Sequence, residues 1–437
     1  MTDIGTVLYA HAAALFPIYR SITGEGVRIT LRYIQDQIPL NIKQVPTGTQ
    51  VLDWKIPAEW SVCGASLSTI DGRTIVDVQN NNLHLMQYST PVDRIVPRQE
   101  LEGHLHSLPE KPDLIPYRTS YYRRDWGICL AHNDRLSLTD EAYRVRIQTS
   151  LEPGHLSYGE CVLPGSEDAE VLISAHVCHP SLANDNLSGI AVAIEMARAL
   201  ASRPHRFTYR FLFAPATIGA ITWLHHNRDA AERIRHGLVL TCLGDPGAPT
   251  YKRSRRGTAA IDRYAEYVLQ GDGHADRVLA FTPTGYDERQ FCSPGFDLPV
   301  GCLMRSPNET FPEYHTSADN LSFVTPQALA DSLRVLNDIV ELAERDETFR
   351  NTAPWGEPQL GRRGLHDGER AAGLDRMAIL WVLNLSDGQH SLFDIARHCG
   401  MPFAAIAAAA DALCDVGLLA PIAPQRSGAV TPAAWRA

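Results

Sequence analysis

The sequence lacks the features that define several classes of protein. No stretch approaches the ~18 consecutive apolar residues of a membrane helix, and the chain opens with an acid where a signal peptide has a positive region. Its nine cysteines, an odd number, include no Cys-x-x-Cys pair. Neither a disulfide framework nor a thiolate zinc finger is therefore indicated. We expect a soluble, cytoplasmic protein with reduced thiols and no membrane partner.

Positive charge is also scarce. Lys and Arg total 40 against 50 Asp and Glu, so the net charge is −10. This balance argues against a dominant surface for nucleic acid or anionic membrane. The 437 residues, 44% hydrophobic and 21% charged, are typical of a globular chain with more than one domain. A small molecule or a peptide is the partner that fits this composition.

From about residue 140, short apolar runs alternate with helical patterns. Such alternation predicts parallel strands covered on both faces by crossover helices, an α/β domain of three layers. Residues 5–38 read as helices of the same domain, which is predicted to comprise 1–44 and 126–349. The predicted strands cover 171–175, 208–213, 237–242 and 299–304, and the predicted helices 187–201, 217–227 and 326–345.

Residues 45–125 differ in composition and pattern from the rest of the chain. They are dense in Pro, Trp and Tyr, and short alternating segments at 74–78 and 83–88 predict strands. We interpret them as an inserted β-rich domain. Two interpretations of its side chains stay open, because they can either wall one side of a cleft or form the core of the insert. These side chains are Asp53, Trp54, Trp60, His84 and Tyr88.

The C-terminal part reads as a linker and three short helices. The third helical pattern contains no Lys or Arg, so it cannot gain the counterion release that supplies most DNA affinity. We expect docking or dimerisation, and a homo-oligomer is compatible with that role. The assigned ranges are a linker at 350–372, helices at 375–384, 391–398 and 402–416 in a winged-helix-like domain at 373–422, and a disordered tail at 423–437.

Two side chains around the first predicted strand suit a metal site. His176 ends this strand at the carboxyl edge of the sheet, where open α/β sheets place their sites, and Asp185 begins the next helix. An imidazole and a carboxylate are zinc ligands, and His179 and Asn184 lie close by as helpers. Alternatively, Asp185 or Asn184 caps the helix and His176 bonds a neighbouring strand.

Three further clusters follow other predicted strands. His315, between Tyr314 and Thr316, is the candidate third ligand. An acidic loop runs from Tyr286 through Asp287 and Glu288 to Arg289, and Asp245 follows another strand. Each cluster alone is a weak signal. Their value is that all of them are expected at one edge of the same sheet.

Together these residues carry a family resemblance. The ordered residues from His176 to Thr316 resemble the zinc-dependent aminopeptidases of the M28 type. More closely, the chain from Phe16 to about Leu419 is similar to the bacterial DUF4910 aminopeptidase-like proteins. The matching phrases include HVCHPSLANDNLSG, GYDERQFCSPGFDLPVG, YHTSADNL and EPQLGRRGL. This resemblance implies a three-layer αβα zinc-exopeptidase-like core, an inserted DUF2172-type β domain and a C-terminal winged-helix-like domain.

The resemblance also implies an activity. It is that of a zinc aminopeptidase-like hydrolase, with one or two zinc ions, that releases an N-terminal aminoacyl group or cleaves a related amide of a small or peptidic substrate. The metal ligands would be His176, Asp185, His315 and, with least support, Asp245. Asp287 or Glu288 would hold a free α-amine or take a proton, and Tyr286, Arg289 or Tyr314 would contact the substrate.

One departure from the family pattern concerns the general base. M28 enzymes carry a Glu-Glu pair after the second core strand, and the close relatives usually read Pro-Glu-Thr-Ile-Gly. Here Ala216 and Thr217 occupy these positions, so the expected base is absent and a second zinc loses a ligand. Three explanations are open: an alanine engineered to trap substrate, natural loss of hydrolysis, or transfer of the base role to Glu288 or Asp287. The alternative function is an inactive M28-like binding protein for an amine or peptide.

Overall fold

The computed structural model describes residues 3–366 and 373–422, which divide into two compact units between Ile339 and Val340. Among the described helices, none has the length and hydropathy needed to cross a bilayer. The strands are β1 (Asn41–Pro46), β2 (Gln50–Val51), β3 (Trp54–Lys55), β4 (Glu59–Ser68), β5 (Thr74–Asp77), β6 (Val92–Pro97), β7 (Leu105–His106), β8 (Ile128–Cys129), β9 (Ala142–Glu152), β10 (His155–Leu163), β11 (Glu170–His176), β12 (Thr208–Ala214), β13 (Ile234–Leu240), β14 (Thr250–Lys252), β15 (Val278–Leu279), β16 (Val300–Met304), β17 (Thr348–Asn351), β18 (Asp387–Ser391) and β19 (Leu419–Pro421). The helices are α1 (Ile4–Leu15), α2 (Glu25–Gln35), α3 (Arg98–Leu101), α4 (His132–Leu136), α5 (Gly189–Ala201), α6 (Ile218–His226), α7 (Arg228–Arg233), α8 (Ala260–Gly271), α9 (Glu288–Phe291), α10 (Pro326–Arg345), α11 (Arg376–Leu385), α12 (Leu392–Cys399) and α13 (Phe403–Asp415).

The main sheet of the first unit has eight strands in the order β1-β10-β12-β11-β13-β16-β14-β15. Its centre, β12-β11-β13-β16, is parallel, whereas β10 and β14 run antiparallel to this centre. Every residue of β11 is buried, which requires cover on both faces of the sheet. The predicted α/β layer architecture is confirmed, with a mixed sheet.

The parallel centre brings the predicted site segments to one edge. β11 ends at His176, and β12 ends directly before the Pro215–Thr217 segment. The loops that carry Asp245 and His315 follow β13 and β16. Because carboxyl ends of parallel strands share one edge of a sheet, these four loops meet there.

A second sheet of the first unit is antiparallel, in the order β5-β4-β9-β6. It contains the predicted strand at 74–78, but it also takes β9 from beyond residue 125, so the predicted boundary at 125 leaves out one strand of the sheet. In β9 the apolar residues Tyr143, Val145 and Ile147 alternate and are buried, the signal of a half-buried strand. The predicted strand at 83–88 is instead a helical turn at Asn82–His84 followed by irregular chain, because the Asn81 side chain accepts the Leu83 N–H.

The second unit holds α11, α12 and α13 with the three-stranded sheet β18-β17-β19, so the three predicted helices are confirmed. Asp375 caps α11 by accepting two backbone N–H groups, and Ser391 with Asp394 forms a capping box on α12. Residues 350–351 of the predicted linker belong to β17. The rest of that linker is described only to residue 366 and again at residue 373, and the tail predicted at 423–437 lies outside the described residues.

Candidate active site

The centre of the site is a buried histidine–aspartate pair. His176 Nε2 and Asp185 Oδ1 lie 2.8 Å apart, and the two side chains are 1% and 0% exposed. Even so, neither atom makes a hydrogen bond to any group of the described chain. Buried polar atoms are normally satisfied. Two adjacent atoms that form a close ion pair but lack the geometry of a hydrogen bond therefore fit a third group, such as a metal ion, held between them.

Two more histidines surround Asp185. His315 Nε2 is 3.0 Å and His179 Nε2 is 3.9 Å from its Oδ2. For comparison, ligand atoms of a tetrahedral zinc lie about 3.3 Å apart if each bond is ~2.0–2.1 Å. Among the described residues, the one group of three His, Cys, Asp or Glu with ligand atoms all within 4.8 Å is His176, His179 and Asp185. His179, which the sequence assigned a helper role, thus joins the centre, and the His-x-x-His spacing after β11 is the signal for it.

The protonation states of this centre suit a metal. Burial by itself raises the pKa of Asp185, but the neighbouring histidines lower it well below its usual value. Burial lowers the pKa of His179 well below its usual value. An ionised carboxylate and a neutral imidazole are the forms in which these side chains bind metal.

Asp245, predicted as a further ligand, does not join the centre. Its Oδ2 accepts the Asn184 side-chain N–H at 2.9 Å, and its Oδ1 accepts the Ser306 hydroxyl at 2.6 Å and the Gly247 N–H at 2.8 Å. Both oxygens are therefore engaged by donors from three loops. Asp245 ties these loops together behind Asp185 and leaves no oxygen free for an ion.

Asp319 holds the loop that carries Asp185. Its Oδ1 accepts the Asn184 N–H at 2.6 Å and its Oδ2 accepts the Asp185 N–H at 3.0 Å. Groups that orient a metal ligand from behind contribute strongly to metal affinity. We therefore assign Asp319 to the support of the centre.

Substitution Asp319→Asn should weaken zinc binding by ~10–100-fold, the usual effect of losing such a supporting group. Asn keeps one acceptor but presents an N–H₂ to the other backbone N–H, so Asp185 loses part of its support. The measurement is a zinc titration by calorimetry. Asp338→Asn, an exposed change on α10, is the matched control, and equal zinc affinity in the two variants would contradict the role assigned to Asp319.

Two tyrosines predicted to contact substrate lie beside the histidines. The Tyr286 ring stacks on His176 with centroids 4.9 Å apart, and the Tyr314 ring stacks on His315 at 3.9 Å. The Tyr286 hydroxyl donates to the Tyr314 hydroxyl at 3.2 Å. Burial raises the pKa of both tyrosines well above its usual value. Both therefore keep their protons and can act as hydrogen-bond donors.

A cavity of about 510 Å³ opens onto this centre. Ala216 lies in its lining, so the position of the expected base faces the place where a substrate would bind. Trp54 also lines it, whereas Trp60 and Tyr88 are 3% and 1% exposed and stack on each other inside the insert. The lining consists of Ile22, Trp54, Tyr117, Arg118, Thr119, Tyr121, Tyr122, His179, Ala216, Thr217, Ile218, Ile221, Gly285, Tyr286, Tyr314 and His315.

Some aromatic residues of the insert thus line the cavity, and others belong to the core of the insert. Trp54 walls the cavity, and Trp60 and Tyr88 form core. His84 also turns away, because its Nδ1 lies 2.8 Å from the Cys129 carbonyl oxygen. Exposed Asp53 is not among the lining residues.

The three charged residues of the acidic loop, Asp287, Glu288 and Arg289, are brought near the centre but do not line the cavity. Glu288 is buried and paired with Lys252 at 2.6 Å, which engages the charge that a base or an amine anchor needs. Arg289 donates from Nε to the Tyr286 carbonyl at 3.3 Å. Asp287 is buried with Oδ1 unsatisfied within the described chain, and burial raises its pKa to about 7.

Comparison with solved structures places this architecture among the zinc aminopeptidases by fold. A zinc aminopeptidase from Bacillus subtilis is 14% identical, with a TM-score of 0.57 over 78% of this chain and 95% of the other. The peptidase M28 precursor from Shewanella amazonensis is 13% identical, with a TM-score of 0.53 over 77% of this chain and 92% of the other. At these identities the likeness concerns the fold alone.

The particular family follows from closer matches. The family described as a domain of unknown function, DUF4910, matches residues 9–346, and a winged helix-turn-helix family matches residues 347–421. A Clostridium acetobutylicum protein is 46% identical over 96% of this chain and 97% of its own length, and its name refers to polysaccharide biosynthesis and an aminopeptidase-like domain. A crystal structure from the same organism, named as a peptidase, is 46% identical with a TM-score of 0.90 over 96% of both chains. The chain belongs to the DUF4910 family.

Proposed function

We propose that this chain is a zinc-dependent, aminopeptidase-like hydrolase. It would release an N-terminal aminoacyl group, or cleave a related amide, from a small or peptidic substrate. The observation that carries the proposal is the pair of unsatisfied atoms on His176 and Asp185, buried beside His179 and His315 where the cavity opens. The names of the 46% identical relatives support the same reaction class.

The donor set fits zinc, since histidine nitrogens and a carboxylate are its usual oxygen and nitrogen ligands. His176, Asp185 and His179 would hold the ion, with His315 as the fourth ligand. Bound zinc supplies Lewis-acid chemistry, because it polarises a carbonyl and acidifies water. His179, whose pKa is lowered by burial, would enter as a neutral imidazole, and the negative charge of Asp185 would offset part of the charge of the ion.

The other groups of the chain act on the substrate. Tyr314 keeps its proton and can donate a hydrogen bond to the oxygen on which negative charge develops, while Tyr286 donates its one O–H to Tyr314 and orients it. Ala216 cannot accept a proton, and Glu288 is held by Lys252. Asp287, the remaining candidate base, is buried and does not line the cavity. Hydrolysis by the chain as it stands is therefore expected to be slow.

Ala216 also supports a second candidate function. A cavity with its binding surface intact and no base at position 216 would bind an amine or a peptide without cleaving it. Calorimetry with zinc, followed by assays of aminoacyl amides and N-acyl amino acids on the zinc-loaded chain, separates the two functions. Zinc-dependent cleavage supports the hydrolase, whereas zinc binding with ligand binding and no turnover supports the binding protein.

A further inference from the structure

The cavity lining contains one permanent cation and, in the part that the structure describes, no carboxylate. The cation is Arg118, which is exposed. Its backbone carbonyl accepts the Gln87 N–H, but its guanidinium makes no hydrogen bond or ion pair within the described chain. Arg123, a few residues away, pairs with Asp125 at 2.9 Å instead. Arg118 is thus a charged residue of the cavity lining, and no side chain among the described residues pairs with it.

The nearby carboxylates are all engaged or hidden. Asp185 faces the histidines, Glu288 is paired with Lys252, and Asp287 is 1% exposed and absent from the lining. An ammonium group that enters such a cavity loses water without gaining an anionic partner, which is unfavourable. The lining therefore favours an anionic group over a free α-amine.

Apolar and aromatic side chains make up much of the remaining lining. Trp54 and Tyr122 are both about half exposed, and their rings lie 5.4 Å apart at a tilt of 53°. Ile218 and Ile221 of α6 line the same cavity. A substrate with an apolar side chain would bury it here.

We propose that the substrate is an amide that carries a free carboxylate, and that Arg118 binds this carboxylate and determines specificity for it. The planar guanidinium can donate two parallel hydrogen bonds to a carboxylate, which a point charge cannot. This inference rests on the proposed function. The proposed function allows two forms of substrate. The role of Arg118 favours the amide that carries an acidic group over the substrate with a free N-terminal amine.

The test is binding of three probes that share one side chain. N-acetyl-phenylalanine carries a carboxylate, N-acetyl-phenylalaninamide is neutral, and phenylalaninamide is a cation. Calorimetry on the full chain stripped of metal at low salt should show the anion binding about 10-fold more tightly than the neutral amide, as expected for a charge-assisted hydrogen bond. The cation should bind most weakly, and added salt should reduce the preference.

Arg118→Gln should bring the anion and the neutral amide to equal affinity. Arg124→Gln, the same change at an exposed arginine outside the cavity lining, should keep the preference. Arg118→Lys retains the charge without the planar guanidinium and should keep part of the preference for the anion. This variant tests the assignment if the Gln variant does not fold. Thermal unfolding measurements show whether each variant is folded.

Equal affinity for the anion and the neutral amide in the unaltered chain would overturn the inference. A preference that survives Arg118→Gln in folded protein would overturn the assignment to Arg118. Since the binding test uses metal-free protein and measures no turnover, an absence of hydrolysis contradicts the proposed function and leaves the anion result standing.

Discussion

Replacing Ala216 by Glu should raise the rate of amide hydrolysis by ~10²–10⁴-fold, the usual contribution of a positioned general base. Position 216 follows β12 at the same sheet edge as His176, and it lines the cavity beside His179. A carboxylate there can reach a water close to the histidine centre, whereas the present methyl group cannot accept a proton. Zinc affinity should change little, because residue 216 is assigned as base and not as ligand.

The measurement is the initial rate of the zinc-loaded Ala216→Glu protein on a panel of aminoacyl amides and N-acyl amino acids. Ala216→Gln is the matched control, since it has the same size and shape but no basic group, and it should remain as slow as the unaltered chain. The added activity should fall as the pH drops below the pKa of the new Glu. Normal zinc binding with no cleavage across the panel would contradict the hydrolase and favour the binding protein.

The double substitution His176→Ala/His315→Ala should reduce zinc affinity by more than ~100-fold. Loss of a group that only supports a ligand already costs ~10–100-fold, and here two imidazoles next to Asp185 are removed at once. The measurement is zinc content after equilibrium dialysis together with calorimetric titration. His226→Ala/His390→Ala is the matched control, because both histidines lie outside the centre.

His179→Ala adds a second comparison at the same centre. If the group of His176, His179 and Asp185 holds the ion, this single change should also lower zinc affinity clearly. Unchanged zinc stoichiometry in the His176/His315 double variant would refute the metal site. If zinc affinity falls strongly in the double variant but is unchanged in His179→Ala, then His179 supports the site and is not a ligand.

The amino-acid sequence determined the architecture and indicated the location of the candidate site. Apolar runs alternating with helical patterns placed four strands, and the polar residues at their carboxyl ends defined one edge of the sheet. His176, Asp185 and His315 were found this way, because a buried strand specifies where its last side chain lies. β9 was missed as part of the second sheet, although its alternation was visible, because pairing between strands far apart in the chain is not a local property.

Only the tertiary structure decided which polar side chains meet. Asp245 and Glu288 had the right chemistry and position, but Asn184 and Ser306 engage the oxygens of Asp245, and Lys252 of β14 pairs with Oε1 of Glu288. In the same way, only the fold placed Arg118 in the cavity lining without a side-chain partner among the described residues. The residue type shows what a side chain can donate or accept. Hydrogen bonds, however, depend on distances of about 3 Å between residues far apart in the chain, and only packing sets these distances.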